Sequence, residues 1–453
     1  MPAPRSLPRE LLHLAWPVLI AQAAVMANGV IDTLMAGRLS SLDLAAVGIG
    51  ASIYATVFVT AMGVLLALTP VVAHHYGAGR FKEIGADVRQ CAWLALGLSV
   101  IAFAVLKHPD PLLHFSRLTP EVELKVRAYL DGVAWAVPGA LFFRVFFGFT
   151  AGIGRPRPVM AFNLMGLVLK VPLNWVLMYG HFGFPALGGA GCGWSSAVIM
   201  WTIATLAWLW CRRDAEYAPY GVFARFDPPR LAALRELMVL GLPMGATFLI
   251  DVTAFTFMAL FIARLGPETS AAHQIAANVA VCVFMVPMAR GSATGVLVGQ
   301  ALGAGDSRRP RHAGLLGLAV GCAAAAVLGT AIYLGAGPLA RAYTTDARVA
   351  ATAATLLSIV AFYHLADAVQ AVMAQVLRGY KRATAPMVIY AVALWGVGLG
   401  GGYLLGLTDT FGPPLGAAGF WMAAVASLVI AGAGVLAYFL RISAQTSHGA
   451  PAG

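Results

Sequence analysis

Charge is what this sequence has least of. Of its 453 residues only 11% are Asp, Glu, Lys or Arg, while 60% are hydrophobic. A soluble domain carries about 25% charged residues, so a water-soluble globule of this size is excluded. Cysteine is scarce too: Cys91, Cys192, Cys211, Cys282 and Cys322 are scattered, odd in number and without C-x-x-C spacing, which argues against a disulfide framework or a zinc site. No G-x-x-x-x-G-K-[ST] loop is present, so ATP is not expected to drive any cycle through this chain. Short strands of alternating polarity, as in a membrane barrel, are missing as well.

What is present is a series of long uncharged runs, Leu44–Ala73, Phe182–Cys211, Ala313–Ala340 and Thr410–Leu440 among them. A helix of about 20 apolar residues crosses a bilayer. Twelve candidate spans follow: 12–36, 44–73, 90–106, 129–150, 158–180, 190–211, 237–263, 270–299, 313–336, 350–377, 385–406 and 415–440. With the N-terminus taken as cytoplasmic, nineteen of the 30 Lys and Arg fall on the cytoplasmic side and eight on the other, leaving Arg144, Lys170 and Arg290 inside spans. The positive-inside rule therefore puts both termini in the cytoplasm. The net charge of +11 becomes a topology signal and needs no nucleic acid partner. Arg5 and Arg9 before an apolar stretch, with Ala21-Gln22-Ala23 as a cleavage-like site, raise the question of a signal peptide. The stretch continues to Asp32 and recurs later in the chain, so no cleavage is expected.

The recurrence is an internal repeat. Pro17 and Pro243, Arg38-Leu39 and Arg264-Leu265, and Gly77-Ala78-Gly79 and Gly303-Ala304-Gly305 all align at an offset of 226; Leu187–Gly191 aligns with Leu415–Gly419 at 228. Six helices return the chain to its starting side, so the two copies share one orientation, as in transporters built from parallel repeats. The expected fold is an all-α integral membrane protein of twelve helices, two six-helix bundles in a V. Its parts would be an N-terminal lobe 1–211, a Pro-containing cytoplasmic linker 212–236, a C-terminal lobe 237–441 and a disordered tail 442–453. Substrate would bind near the midplane for alternating access.

Charges inside a span are costly and point to function. Asp32 lies in helix 1, Asp251 in helix 7 and Asp367 in helix 10, with Asp131 at an end of helix 4. Helices 1, 4, 5, 7, 8 and 10 hold all the interior charges and are expected to face a cavity. At an offset of 226 the partners of these acids are Met258, Val25 and Leu141, so the acids have no symmetry mates. Tyr363, His364, Asp367 and Gln370 share one helix face. Asp251 and Asp367 on neighbouring helices, with a phenol oxygen nearby, can hold Na⁺ or share a proton, or else neutralise Arg144, Lys170 or Arg290 as structural pairs. Asn28 with Asp32, Asn163 with Lys170 and Asn174, and Gln274 with Asn278 form polar stripes on helices 1, 5 and 8. Lys170 is expected to pair with Asp32. Phe142, Phe143, Phe146, Phe147 and Phe149 are expected mainly to pack, and His74-His75 is read as lacking acidic company.

These residues carry a resemblance. Asp32-Thr33-Leu34-Met35-Ala36-Gly37-Arg38, Leu68-Thr69-Pro70 through Tyr76-Gly77-Ala78-Gly79, Arg155-Pro156-Arg157, Val171-Pro172-Leu173-Asn174, Pro185 through Gly193, and Asp367-Ala368-Val369-Gln370 with Leu377-Arg378-Gly379-Tyr380 resemble, in order, the multidrug and toxic compound extrusion (MATE) transporters of the NorM-type branch. The resemblance covers about residues 10–440. It implies a monomeric antiporter of the bacterial inner membrane, not an enzyme and without a cofactor, exporting bulky, often cationic drugs in exchange for Na⁺ or H⁺. It also implies that Asp367, Tyr363 and Asp251 form the cation site, with Asp251 where the family usually has glutamate. Asp32 matches the aspartate linked to proton and drug binding; from the polar stripes, Asn28, Asn163, Lys170, Asn174, Gln274 and Asn278 are expected as further proton- and drug-binding residues. A lipid-linked sugar flippase of the same superfamily is the alternative, kept open by Lys170 and Arg290. An intramembrane aspartyl protease is disfavoured, because Ile250 precedes Asp251 and Ala366 precedes Asp367.

Overall fold

The computed structural model describes residues 6–110, 113 and 118–447; the bases Arg5 and Arg117 and the tail positions 448–453 lie outside them. No strand occurs among the described residues. The helices are α1 Leu7–Leu39, α2 Ser41–Leu65, α3 Leu68–Gly77, α4 Phe81–Lys107, α5 Pro120–Ala134, α6 Ala136–Gly152, α7 Arg157–Tyr179 and α8 Ala190–Arg213. After a 3-10 turn, Ala215–Tyr220, come α9 Leu231–Ala263, α10 Pro267–Gly303, α11 Arg309–Tyr343, α12 Ala347–Gly379, α13 Thr384–Ala391, a π-helical stretch Val392–Gly400, α14 Gly401–Leu407 and α15 Ala417–Ser447. Residues 442–447, expected in the tail, extend this last helix.

Among the described residues eleven apolar segments are long enough to cross a membrane, and α5 with α6, bent by 40° at Trp135, make a twelfth. All twelve expected spans are therefore helical. Their ends are written in local chemistry: Ser40 caps α2 by accepting from Asp43 N, Asp346 caps α12 by accepting from Arg348 N and Val349 N, and proline opens α5 and α10.

The repeat is visible in the backbone. The turn in which Gly79 N donates to Tyr76 O (3.1 Å) recurs at the offset of 226, where Gly305 N donates to Leu302 O (3.0 Å). Arg155 N to Thr150 O (2.7 Å) recurs as Arg382 N to Leu377 O (2.9 Å), an offset of 227. Leu187 N to Leu177 O (3.0 Å) recurs as Leu415 N to Leu405 O (2.9 Å), an offset of 228. Gly188 and Gly416 close the last pair of turns with φ of +58° and +60°, a conformation that other residues adopt only with strain. The local offset of 227 beside α12 sends Asp367 to Ala140 rather than Leu141, and the acid still has no mate.

The chain divides into two compact units: Pro17–Gly245, and Ala246–Gly453 with Met1–Trp16. In the first, the segment after α8 is bound down instead of hanging as a loose connection. Arg89 of α4 donates to Asp227 Oδ2 (2.8 Å), Gly221 O (2.6 Å) and Val222 O (3.2 Å); Gln90 donates to Pro228 O (2.9 Å) and Trp93 to Asp227 O (2.9 Å). Gly85 lets this strap in, since a Cβ there would collide with Tyr220 O. Phe146 and Phe149 are fully buried, Phe149 edge-on to Tyr220, so this part of the phenylalanine cluster packs the strap and the core. The tight Gly77–Gly79 turn also brings α4 back beside His75, placing Glu83 at 2.8 Å and Asp87 at 3.2 Å. His75 thus has the acidic company that it was expected to lack.

Candidate functional site

Each unit holds a buried polar cluster around a predicted site aspartate. In Pro17–Gly245 it is built by α1, α7 and α8. Asp32 Oδ2 lies 2.9 Å from Lys170 Nζ, and Asn174 Nδ2 donates to Asp32 Oδ1 at 2.7 Å. Positions 170 and 174 are one helical turn apart, so α7 presents both to the same carboxylate. Lys170 Nζ also donates to Ser196 Oγ (2.7 Å), Ser195 Oγ (3.2 Å) and Cys192 O (3.3 Å) of α8, and Ser195 Oγ donates to Asn174 Oδ1. The Lys170 side chain is 2% exposed and that of Asp32 13%. Gly191 makes this closeness possible, because a Cβ on it would stand 2.7 Å from Met178 N of α7.

Asn28, one turn before Asp32 on α1, keeps a buried Oδ1 with no hydrogen-bond partner among the described residues. Asn163 is buried but donates to Val159 O of its own helix (3.0 Å), outside the cluster. Asp131 pairs with Lys107 at 2.7 Å and is half exposed.

The second cluster lies in the other unit, on α9, α12 and α13. Tyr390 donates to Asp251 Oδ1 at 2.6 Å, just before the backbone loosens into the π-helical stretch, a feature often found at functional sites. Asp367 is 5% exposed and has no hydrogen-bond or ion-pair partner among the described residues; it lies within electrostatic reach of Asp251. Tyr363, His364 and Gln370 are buried with it. Tyr363 packs edge-on to Phe255 (6.3 Å between ring centres) and Trp421 (5.4 Å). Both ring nitrogens of His364 are buried without hydrogen-bond partners among the described residues. Gln274 and Asn278 sit on an exposed face of α10, Asn278 accepting from Tyr343 (2.8 Å) rather than meeting an aspartate. Among the described residues no three His, Cys, Asp or Glu side chains are arranged to hold a metal ion, so a cation here has at most the two carboxylates and neutral oxygens.

The two remaining interior bases have partners of other kinds. Arg290 donates to Val320 O (3.0 Å), and Arg144 stacks over Phe147 (4.1 Å). Sequence reasoning missed Ser195, Ser196 and Tyr390. The adjacent serines, just after a glycine-rich turn in an otherwise apolar helix, were the available signal. Tyr390 offered none, since its partner lies 139 residues away.

Known proteins resemble the chain along nearly its whole length. It is 38% identical to a probable multidrug resistance protein NorM of Aromatoleum aromaticum over 96% of this chain and 94% of the relative. It is 39% identical to the multidrug resistance protein PmpM of Pseudomonas aeruginosa, over 93% and 88%. Among solved structures, a MATE protein in the bent conformation superposes with a TM-score of 0.89 at 18% identity, covering 98% of each chain. The Vibrio cholerae MATE transporter VcmN in its bent form gives 0.84 at 18%, again over 98% of each. The MatE family model matches residues 17–176 and 243–404, two segments whose starts differ by 226 and whose ends differ by 228, in the register of the repeat. The chain belongs to the MatE family.

Proposed function

We propose that the chain is a secondary multidrug efflux antiporter that exports bulky, amphipathic, often cationic compounds by alternating access in exchange for Na⁺ or H⁺. The observation that carries this reading is Asp367: a carboxyl 5% exposed, inside a spanning helix and without a hydrogen-bond or ion-pair partner among the described residues. A bare charge in that setting is costly, so the site is stable only with a proton or a cation on it. Asp251 and Asp367, with Tyr363 beside them, form the coupling site, and Asp32 with Asn28, Asn174 and Lys170 forms a drug and proton site. Asn163, Gln274 and Asn278 lie outside both clusters and would meet a drug only elsewhere along its path. Two lobes, divided as the compact units are, alternate in access, and the monomeric chain sits in a bacterial inner membrane with both termini cytoplasmic, as the basic residues indicate.

The flippase alternative loses its support. It rested on two interior bases, of which Lys170 is paired with Asp32; Arg290 keeps its charge while donating to Val320 O, but the relatives matched along nearly the whole chain are named multidrug resistance proteins. The test is ethidium efflux from proteoliposomes under separately imposed Na⁺ and pH gradients. One gradient should drive efflux in the wild type, and Asp367→Asn should abolish it. Undiminished efflux in Asp367→Asn under both gradients would overturn the coupling assignment, and transport of a lipid-linked sugar without drug transport would restore the flippase.

A further inference from the structure

Lys170 meets more acceptors than it can use. An ammonium has three N–H donors, and Lys170 Nζ lies within 3.3 Å of four oxygens: Asp32 Oδ2, Ser196 Oγ, Ser195 Oγ and Cys192 O. The three on α8 are neutral and suffice to satisfy it. Asp32 is therefore replaceable from the lysine's side. From the carboxylate's side the balance differs, because Asp32 is the more exposed member and, beside Lys170, is held chiefly by the Asn174 amide. The arrangement exists once in the chain. At the local offset of 228, Lys170, Asn174, Ser195 and Ser196 correspond to Gly398, Gly402, Ala423 and Ala424, so the shared scaffold does not require it.

We propose that Lys170 is a tethered counter-ion for Asp32, a built-in cation that holds the carboxylate when no substrate is bound and withdraws onto Ser195, Ser196 and Cys192 O when a cationic substrate takes Asp32. This rests on the efflux reading and deepens it. With the lysine in place the empty cluster is neutral, so of the drug and proton roles proposed for this site Asp32 keeps the first, and the lysine takes the place of the proton when drug leaves. With drug bound the cluster carries one net positive charge, which keeps affinity for cations low and release fast. Coupling-ion exchange is thereby left to Asp251 and Asp367. Among the described residues the other titratable groups within electrostatic reach of Asp32 are the phenol of Tyr129 on α5 and the thiol of Cys192 on α8.

The test is ethidium binding by fluorescence polarisation to the purified full chain in detergent. Lys170→Met should bind ethidium at least about tenfold tighter than the wild type, because the lysine no longer occupies the carboxylate. Ser195→Ala with Ser196→Ala leaves the ion pair but only Cys192 O for the retreat, and should weaken ethidium binding. Lys170→Met with Asp32→Asn should lose the gain. Equal or weaker ethidium binding by a folded, monodisperse Lys170→Met protein overturns the proposal. A readout independent of drug covers failure of the efflux reading itself: dicyclohexylcarbodiimide labels buried carboxyls that no cation holds, so Asp32, 2.9 Å from Lys170 Nζ in the wild type, should be labelled faster in Lys170→Met. Equal labelling of the two refutes the counter-ion role whether or not ethidium binds.

Discussion

Replacing Gly191 with alanine tests how the buried ion pair is held together. The added Cβ would stand 2.7 Å from Met178 N and 2.8 Å from Leu177 C, both backbone atoms that cannot turn aside. Ordinary contact begins near 3.4 Å, so α7 and α8 must separate by about 0.7 Å. Applied to the adjoining turn of α8, that shift would lengthen the contacts from Lys170 Nζ to Ser195 Oγ (3.2 Å) and Cys192 O (3.3 Å) to about 4 Å, beyond hydrogen-bond range. Overpacking of this kind costs about 1–3 kcal/mol. For a unit of this size that lowers the melting temperature by roughly 2–12 °C. The repeat supplies the control: Gly419→Ala creates the same collision, 2.8 Å from Leu405 C, beside a helix pair whose corresponding positions are glycine and alanine. Both variants should lose similar stability by heated size-exclusion chromatography. Only Gly191→Ala should expose Lys170 to amine-reactive labelling read by mass spectrometry. An unshifted melting temperature in Gly191→Ala, or equal Lys170 labelling in the two variants, would refute the reasoning.

Other outcomes follow from the same geometry. Tyr390→Phe removes the 2.6 Å hydrogen bond to Asp251 and, at about 1.5–3 kcal/mol for a bond to a charged group, should change apparent coupling-ion affinity by at least about tenfold, read as the Na⁺ or pH midpoint of ethidium efflux. At the strap, the hydrogen bond from Arg89 holds the Asp227 carboxyl below the usual carboxylate range. A depressed value means that its stabilising effect is complete above the unfolded value of about 3.8 and is lost as pH falls through the lower folded one. Asp227→Asn should therefore melt lower than the wild type near neutral pH, with the gap closing under strong acid; a gap independent of pH would show that the charge is irrelevant.

The helices and the repeat were legible because both are one-dimensional signals: a run of apolar residues and a fixed offset survive without any knowledge of packing. The Asp32 to Lys170 pairing was legible for a related reason, since two opposite charges in one apolar lobe have few other places to go. Ser195 and Ser196 were not, because serine is ordinary in a spanning helix and gains meaning only when α7 is laid against α8. Likewise His75 looked isolated until the turn at Gly79 folded α4 back to bring Glu83 and Asp87 to it. The strap showed only its prolines in the sequence; its attachment depends on Arg89 and Gln90, each 138 residues before the Asp227 or Pro228 that it holds.

The boundary between the compact units has a bearing on biosynthesis. Everything from Pro17 to Gly245, strap included, can be assembled once Gly245 has been made, and domains of large chains generally fold as they emerge. Leu7–Trp16 cannot take part, because it belongs with residues from Ala246 onward, and Glu10 pairs with Arg309, 299 residues later, at 2.9 Å. The first turns of α1 leave the ribosome ahead of both units and reach their place only after the second half exists. Changes at this end of the chain should register as delayed maturation of the later unit, with the earlier one already formed.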